Sequence, residues 1–355
     1  MDPRTQAYAR ILVDCIDPRP GWQVLVRSQP PGRPLIEEIT RELGRRGARA
    51  LVRLNFDSVG GAFLRNAPME LITTVSAIER HEIETADSYM AILAPENTRE
   101  SADIPAERLA ARQSALRDPH MPYLMDAKPW VGCYYPTTAA AQDAGLPPAA
   151  FEDFFYGAVL IDWHDLRDRM ERIAEHFDRA EGVRIVAPET DITFSLAGRQ
   201  GKVDALSANM PGGEIFYSPI EDSAEGVITY SEYPACYLGH EVEGVRLRFE
   251  GGTIVEASAT SDEEFLLGTL DTDEGARRLG EFGIGCNPGI QRHMRNTLFD
   301  EKMAGTIHLA VGTGFPQIGG KNASGIHWDM VKDLRQGGRM ELDGTVVQEN
   351  GVWAL

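Results

Sequence analysis

The chain is 355 residues long, with 43% hydrophobic residues, 25% charged residues and a formal net charge of −19 at pH 7. Its length allows two globular domains. Its acidity excludes a general nucleic-acid binder, because phosphate contacts require clustered Lys and Arg. No window approaches the roughly 18 apolar residues of a membrane-spanning helix, so we expect neither nucleic acid nor membrane as a partner.

The cysteine pattern indicates a reducing compartment. The four cysteines lie far apart and form no CxxC pair: Cys15, Cys133, Cys236 and Cys286. Such dispersed thiols are typical of small buried apolar residues in cytoplasmic proteins. The first ten residues also lack the apolar segment of a signal peptide. We therefore expect a cytoplasmic protein.

Strand and helix signals alternate in the first third of the chain. Residues 22–28, 48–56 and 88–96 are rich in β-forming residues, and residues 34–47 have helical periodicity and end in glycine. This order predicts βαβ units and a parallel sheet. No dinucleotide-binding or P-loop motif follows a strand, and residues 57–61 predict a turn rather than a ligand loop.

Longer helical patterns follow, and the character of the chain then changes. Residues 101–120 predict a helix capped by Ser101 or Asp103, and residues 149–180 predict a long amphipathic helix. Residues 182–200 turn to β character, and from about residue 190 short strands with glycine-rich turns dominate. Residues 236–259 predict a hairpin that turns at 250–252, and residues 262–279 a helix.

The fold class that these patterns predict is α/β (α+β overall). We place the domain boundary near residue 190. Residues 1–190 would form an N-terminal parallel-sheet α/β domain, and residues 191–355 a mostly β C-terminal metal-binding domain.

Metal-binding residue types are concentrated in the C-terminal part. His327 and Asp329 are two positions apart in an extended pattern, so both side chains point to the same face and can reach one ion. His308 begins an apolar run that predicts a buried strand. Glu281 lies where the predicted helix gives way to a strand or loop, and Glu214 lies further upstream. Imidazole and carboxylate ligands suit zinc, cobalt, manganese or iron.

Several motifs in residues 130–330 resemble those of the aminopeptidase T/AmpS/PepS family of metallo-aminopeptidases. The matching stretches include WVGCYYPTTAAAQDAGLPPAAFEDFFYGAVLIDW, NMPGGEIFYSPIEDSAEGVITY, NTLFDEKMAGTIHLAVG and NASGIHWDM. The resemblance implies a hydrolase with two divalent ions, zinc or cobalt in preference to manganese or iron. It also implies a homodimer that acts on short peptides or small amides.

The resemblance assigns five metal ligands: Glu214, Glu281, His308, His327 and Asp329. In this assignment Glu281 is a catalytic residue that bridges the ions, Glu214 and His308 bind one ion, and His327 with Asp329 bind the other. One position departs from the family pattern. Phe315 stands where the family has a tyrosine near the metals, which removes a phenol from the expected catalytic site.

Three functions remain open at this point. The first is a dinuclear aminopeptidase-like hydrolase that cleaves an amide with a metal-bound water. The second is a mononuclear non-haem Fe(II) ring-opening dioxygenase, in which His308, His327 and Asp329 form a two-His, one-carboxylate face. Related dioxygenases replace the acid at Glu281 and lose that at Glu214, so the two retained acids favour the hydrolase. The third is a non-catalytic metal-binding protein, which the Phe315 departure suggests.

Overall fold

The computed structural model of the chain describes residues 2–125 and 127–355, which form two compact units. Unit 1 extends up to Ile161 and includes Leu206–Gly212, and unit 2 consists of Asp162–Ala205 and Gly213–Leu355. Among the described residues, no helix combines the length and apolar character needed to cross a membrane.

Unit 1 is a parallel sheet with helices between its strands. Its elements are α1 (Pro3–Ile16), β1 (Gln23–Ser28), α2 (Arg33–Arg45), β2 (Arg49–Leu54), α3 (Asp57–Asn66), α4 (Met69–Ile72), α5 (Ala77–Thr85), β3 (Ser88–Leu93), α6 (Ala106–Leu124), β4 (Trp130–Tyr134), α7 (Thr138–Asp143), α8 (Pro148–Val159) and, from later in the chain, β8 (Asn209–Met210). The strand order is β2-β1-β3-β4-β8, and all pairs are parallel. The predicted parallel sheet is therefore confirmed.

Two local predictions in unit 1 are wrong. Residues 57–61 begin helix α3 instead of forming a turn. The helix predicted from residue 101 begins at Ala106 after Pro105, so neither Ser101 nor Asp103 caps it. Proline favours extended backbone in the residue before it, which prevents the helix from starting earlier.

Unit 2 is mostly antiparallel β-structure. Its elements are α9 (Trp163–Phe177), β5 (Gly182–Ala187), β6 (Thr190–Ser195), β7 (Lys202–Asp204), β9 (Glu214–Tyr217), β10 (Glu225–Tyr230), β11 (Ala235–Tyr237), β12 (His240–Val242), β13 (Val245–Glu250), β14 (Thr253–Ser258), α10 (Glu263–Leu270), β15 (Leu279–Gly285), α11 (Thr297–Asp300), β16 (Thr306–Gly312), β17 (His327–Asp333), β18 (Arg339–Leu342), β19 (Thr345–Glu349) and β20 (Val352–Trp353).

Two large sheets organise unit 2. One has the order β14-β13-β10-β6-β5-β18-β19-β20, and the other has the order β17-β16-β15-β9-β7. The β13–β14 hairpin turns between Glu250 and Thr253, as predicted. Together the parallel sheet of unit 1 and the antiparallel sheets of unit 2 confirm the predicted fold class.

The helical predictions around unit 2 need correction. The predicted helix over residues 149–180 is divided into α8 and α9, and Asp162 caps α9 by accepting a hydrogen bond from the Asp165 amide. The predicted helix over 262–279 ends at Leu270, and only a short 3-10 turn, Glu274–Arg277, follows it. Unit 2 already begins at Asp162, before the predicted boundary near residue 190, which remains a prediction about independently folding domains.

One face of the β17-β16-β15-β9-β7 sheet is an apolar core. Tyr217 on β9 and Phe282 on β15 are fully buried there, and Phe177 of α9 packs beside both rings. Phe194 of β6 meets Phe282 edge to face, with ring centroids 4.9 Å apart. Because side chains alternate along a strand, the neighbours of these aromatic residues point to the opposite face.

Candidate metal centre

The opposite face of this sheet brings together the five predicted ligands: Glu214, Glu281, His308, His327 and Asp329. The strand register explains the arrangement. Ala310 on β16 pairs with both Glu281 and Asp329, and Gly283 on β15 pairs with His308. These two small residues leave space above the sheet, which the larger ligand side chains fill. The predicted strands at His308 and His327 are confirmed, whereas Glu281 lies inside a strand and not at its start.

Glu281 is central in the cluster. Its Oε1 lies 3.4 Å from Nε2 of His308, and its Oε2 lies 3.1 Å from Nε2 of His327. Asp329 Oδ1 is 3.4 Å from His327 Nε2 and 3.9 Å from His308 Nε2. Glu214 Oε2 is 3.8 Å from His308 Nε2. Carboxylate oxygens and imidazole nitrogens thus converge on one small volume.

Both imidazoles are fixed through their other nitrogen. Nδ1 of His308 is 3.2 Å from the carbonyl oxygen of Glu301, and Nδ1 of His327 is 2.9 Å from that of Thr313. A carbonyl oxygen only accepts, so each Nδ1 carries a hydrogen and donates a hydrogen bond to it. Nε2 of each ring consequently faces the cluster, in the orientation that metal-ligating histidines adopt.

Electrostatics favours positive charge in this cluster. Burial lowers the pKa of His308, but Glu281 and the other carboxylates outweigh burial and raise it to about 10. Burial likewise lowers the pKa of His327, and Asp329 and Glu281 raise it well above its usual value. Burial raises the pKa of Asp329, yet His327 lowers it to about 2. Burial dominates at Glu214, whose pKa is raised.

Two buried oxygens fit the donor set of a metal ion. Glu214 Oε2 and Asp329 Oδ1 have no hydrogen-bond partner within residues 2–125 and 127–355. An unpaired buried oxygen is costly, and coordination of a cation would satisfy both. Oxygen and imidazole ligands without thiolate suit zinc, cobalt, manganese and iron.

Glu301 and Lys302 belong to the cluster and were missed from the sequence. Glu301 forms a group of potential ligands with Glu214 and His308, with one ligand atom from each lying within 4.8 Å of the others. Lys302 is fully buried and lies 3.2 Å from Glu214. Both residues follow the four-residue helix α11, where no strand alternation marks them. The available signal was a run of three charged residues, Asp300 to Lys302, between the buried Phe299 and Met303.

Phe315 lies at the edge of the cluster. Its ring centroid is 5.2 Å from that of His327 and 5.4 Å from that of Phe216. Its backbone amide donates to Ser218 Oγ, which itself donates to the Gly280 carbonyl beside Glu281. The ring is therefore held next to a predicted ligand and offers no hydrogen-bond donor.

Comparison with known proteins identifies the family of the chain. The model of the thermophilic metalloprotease (M29) family matches residues 1–353. Aminopeptidase 2 of Geobacillus stearothermophilus is 27% identical over 348 residues, which are 87% of this chain and 83% of that protein. Aminopeptidase PepS of Streptococcus thermophilus is 24% identical over 412 aligned positions, which cover 99% of this chain and 98% of that protein.

A more similar but shorter match is with aminopeptidase T of Thermus aquaticus, which is 36% identical over 154 residues, 39% of this chain and 36% of that protein. The solved structure of wild-type AmpT from Thermus thermophilus has the same fold, with a TM-score of 0.86, 23% identity and 99% of each chain covered.

These matches give no support to the dioxygenase alternative, because the matching family model and the relatives named above are all peptidases. Family membership also implies a divalent metal ion. The chain therefore belongs to the thermophilic metalloprotease (M29) family and is a metal-dependent hydrolase.

Proposed function

We propose that the chain is an aminopeptidase that cleaves the N-terminal amide bond of a short peptide or small amide at a dinuclear metal centre. The observation that carries the proposal is the presence of two ligand groups beside one face of the sheet. Glu214, Glu301 and His308 form one group, and Glu281, His327 and Asp329 form the other. Within each group, one ligand atom from each residue lies within 4.8 Å of the others.

Glu281 has the role of bridging ligand in this proposal. Each of its oxygens approaches a different imidazole, so one carboxylate can serve both groups. Shared carboxylates bring two ions to about 3.5–4 Å from each other. Zinc or cobalt is the proposed metal, and manganese or iron fits the same donor set. When bound, such ions polarise the scissile carbonyl and activate the attacking water.

The protein residues set the approach of the substrate and the polarity of the centre. His308 is fully buried, whereas the side chain of His327 is 26% exposed. Substrate would therefore reach the centre beside His327 and Phe315. Burial of the acids lowers the local dielectric and strengthens their interactions with cations. Phe315 supplies an apolar wall there, but no donor to the oxyanion that develops on the carbonyl.

Several properties come from the resemblance and the relatives' names. We propose peptides as substrates because the relatives are named aminopeptidases. The homodimer remains a prediction from the family resemblance. The cytoplasmic location remains a prediction from the dispersed cysteines.

The test is hydrolysis of aminoacyl-arylamides and short peptides by the purified protein, together with metal analysis. We expect the wild type to bind two ions per chain. Glu281→Ala and His327→Ala should lose activity while their circular dichroism stays unchanged. His176→Ala on the exposed side of α9 is the control for substitution itself. Full activity in either site variant would refute the assignment. Two bound ions without turnover on any peptide or amide would support the non-catalytic alternative.

A further inference from the structure

Lys302 has an unusual environment for a lysine. Its side chain is fully buried beside the cluster of carboxylates. Its Nζ lies 3.2 Å from Oε1 of Glu214 and also binds Oε1 of Glu301. A buried ammonium is stable only when it is paired and hydrogen-bonded, and these two acids meet that requirement.

The Lys302 ammonium contacts only one of the two carboxylate oxygens of Glu214. Oε1 of Glu214 is bound by Lys302, whereas Oε2 lies 3.8 Å from Nε2 of His308. Oε2 has no hydrogen-bond partner in the part of the chain that the structure describes. Lys302 therefore fixes the rotation of the carboxylate and directs its free oxygen toward the cluster.

Charge gives Lys302 a second role. Glu214, Glu281, Glu301 and Asp329 are four acids in one buried cluster, and buried like charges repel one another strongly. One permanent cation among them reduces this repulsion without occupying the oxygen that points to His308. The acids can then stay close together before any metal ion arrives.

We infer that Lys302 is a positioning residue of the metal centre, which holds Glu214 and Glu301 so that both can bind one ion together with His308. The inference rests on the proposed function, because the position that Lys302 sets is that of a metal ligand. It predicts that Lys302 affects the ion at Glu214, Glu301 and His308, and not the ion at Glu281, His327 and Asp329.

A second buried lysine in the same unit provides a matched control. Lys332 on β17 is also fully buried, and its Nζ binds the Thr229 carbonyl at 2.7 Å and Glu232 at 2.8 Å. It lies three residues after Asp329, so alternation places it on the other face of the sheet. Lys332→Met therefore removes an equally buried ammonium without touching the predicted ligands.

The experiment is a titration of metal-free protein with Co²⁺. Calorimetry measures the binding, and visible absorption reports the ligand geometry of the bound ion. We expect two ions in the wild type and in Lys332→Met. In Lys302→Met we expect unchanged affinity for one ion, assigned to Glu281, His327 and Asp329. We expect about tenfold weaker affinity or worse for the second ion, assigned to Glu214, Glu301 and His308, as for other residues that orient metal ligands. The absorption of the second ion should change, since its ligand geometry changes.

The other outcomes separate the two proposals. Wild-type affinity for both ions in Lys302→Met, or a tighter second ion, would overturn the role of Lys302 and leave the proposed function intact. Fewer than two ions in the wild type would overturn the dinuclear function, and the role of Lys302 with it. If Lys302→Met does not fold, Lys302→Gln takes its place, because it keeps hydrogen-bond donors and loses only the charge. Wild-type affinity for both ions in Lys302→Gln would overturn the electrostatic part of the role.

Discussion

The imidazole of His308 occupies the space that a side chain at position 283 would need. Gly283 lies on β15 between Phe216 of β9 and His308 of β16. A Cβ atom at this position would lie 1.9 Å from Cε1 and 2.2 Å from Nε2 of His308. Gly283→Ala is therefore a direct test of whether the position of this imidazole matters.

The required displacement follows from these distances. Non-bonded carbon atoms approach to about 3.5 Å, so the imidazole would have to move by roughly 1.6 Å. Metal–ligand distances tolerate deviations of only about 0.2 Å. The ion that we propose His308 binds should therefore be lost. Overpacking of this kind also lowers the free energy of unfolding by about 1–3 kcal/mol.

The assay combines Co²⁺ titration with thermal unfolding of Gly283→Ala. The control is Gly268→Ala in α10, where a Cβ atom meets no other atom within 4 Å and a helix gains stability. The double variant Gly283→Ala, His308→Ala removes the overlap together with the imidazole, so metal binding should stay lost in it. Two ions bound with wild-type affinity by Gly283→Ala would refute the proposed position of His308 in the centre.

Three further predictions concern the same face. Phe315→Tyr should raise kcat on short peptides with little change in KM, because an oxyanion donor contributes on the order of 10²–10³ in rate; steady-state kinetics measure this. Glu301→Gln should weaken the binding of one of the two Co²⁺ ions by about tenfold or more, because an amide is a neutral ligand in place of an anionic one. Calorimetry measures this affinity. Near pH 7, metal binding should release at least one proton, because the pKa of His308 is raised to about 10 and the ring must lose a proton to bind a metal; His327, whose pKa is also raised, adds to this release. Calorimetry in buffers with different ionisation enthalpies counts the released protons, and metal affinity should fall as the pH falls.

Each of these predictions has a contradicting result. An unchanged or lower kcat in Phe315→Tyr on every peptide would indicate that the missing hydroxyl reflects a different substrate. Two tightly bound ions in Glu301→Gln would exclude Glu301 as a ligand. Binding heats that do not depend on the buffer would show that the imidazoles are neutral before the metal arrives.

The strand part of the site was predictable from the sequence because it depends on alternation alone. The spacing of His327 and Asp329 sets a common face in any strand, and the apolar run after His308 predicts a buried strand. The structure confirms both strands. Their assignment as metal ligands remains a prediction, which only metal binding can test.

Other parts depend on packing between distant segments, which alternation does not encode. Glu301 and Lys302 lie in a turn after α11 and reach Glu214 only because the turn folds against β9. Residues 271–279 have helical periodicity, yet β15 begins at Leu279 because its pairing with β16 outweighs local helix propensity.

The position of His327 and Asp329 on β17 would give an ion bound there a mechanical role. β17 is the last strand of its sheet and pairs only with β16 among the strands that the structure describes. A slip by one residue along β16 would turn both side chains to the apolar face. An ion shared with Glu281 would therefore hold the outermost strand in one alignment, and at 100 times its dissociation constant would stabilise that alignment by about 2.7 kcal/mol. Removal of the metal would then weaken the pairing of the edge strand β17 and also abolish catalytic activity.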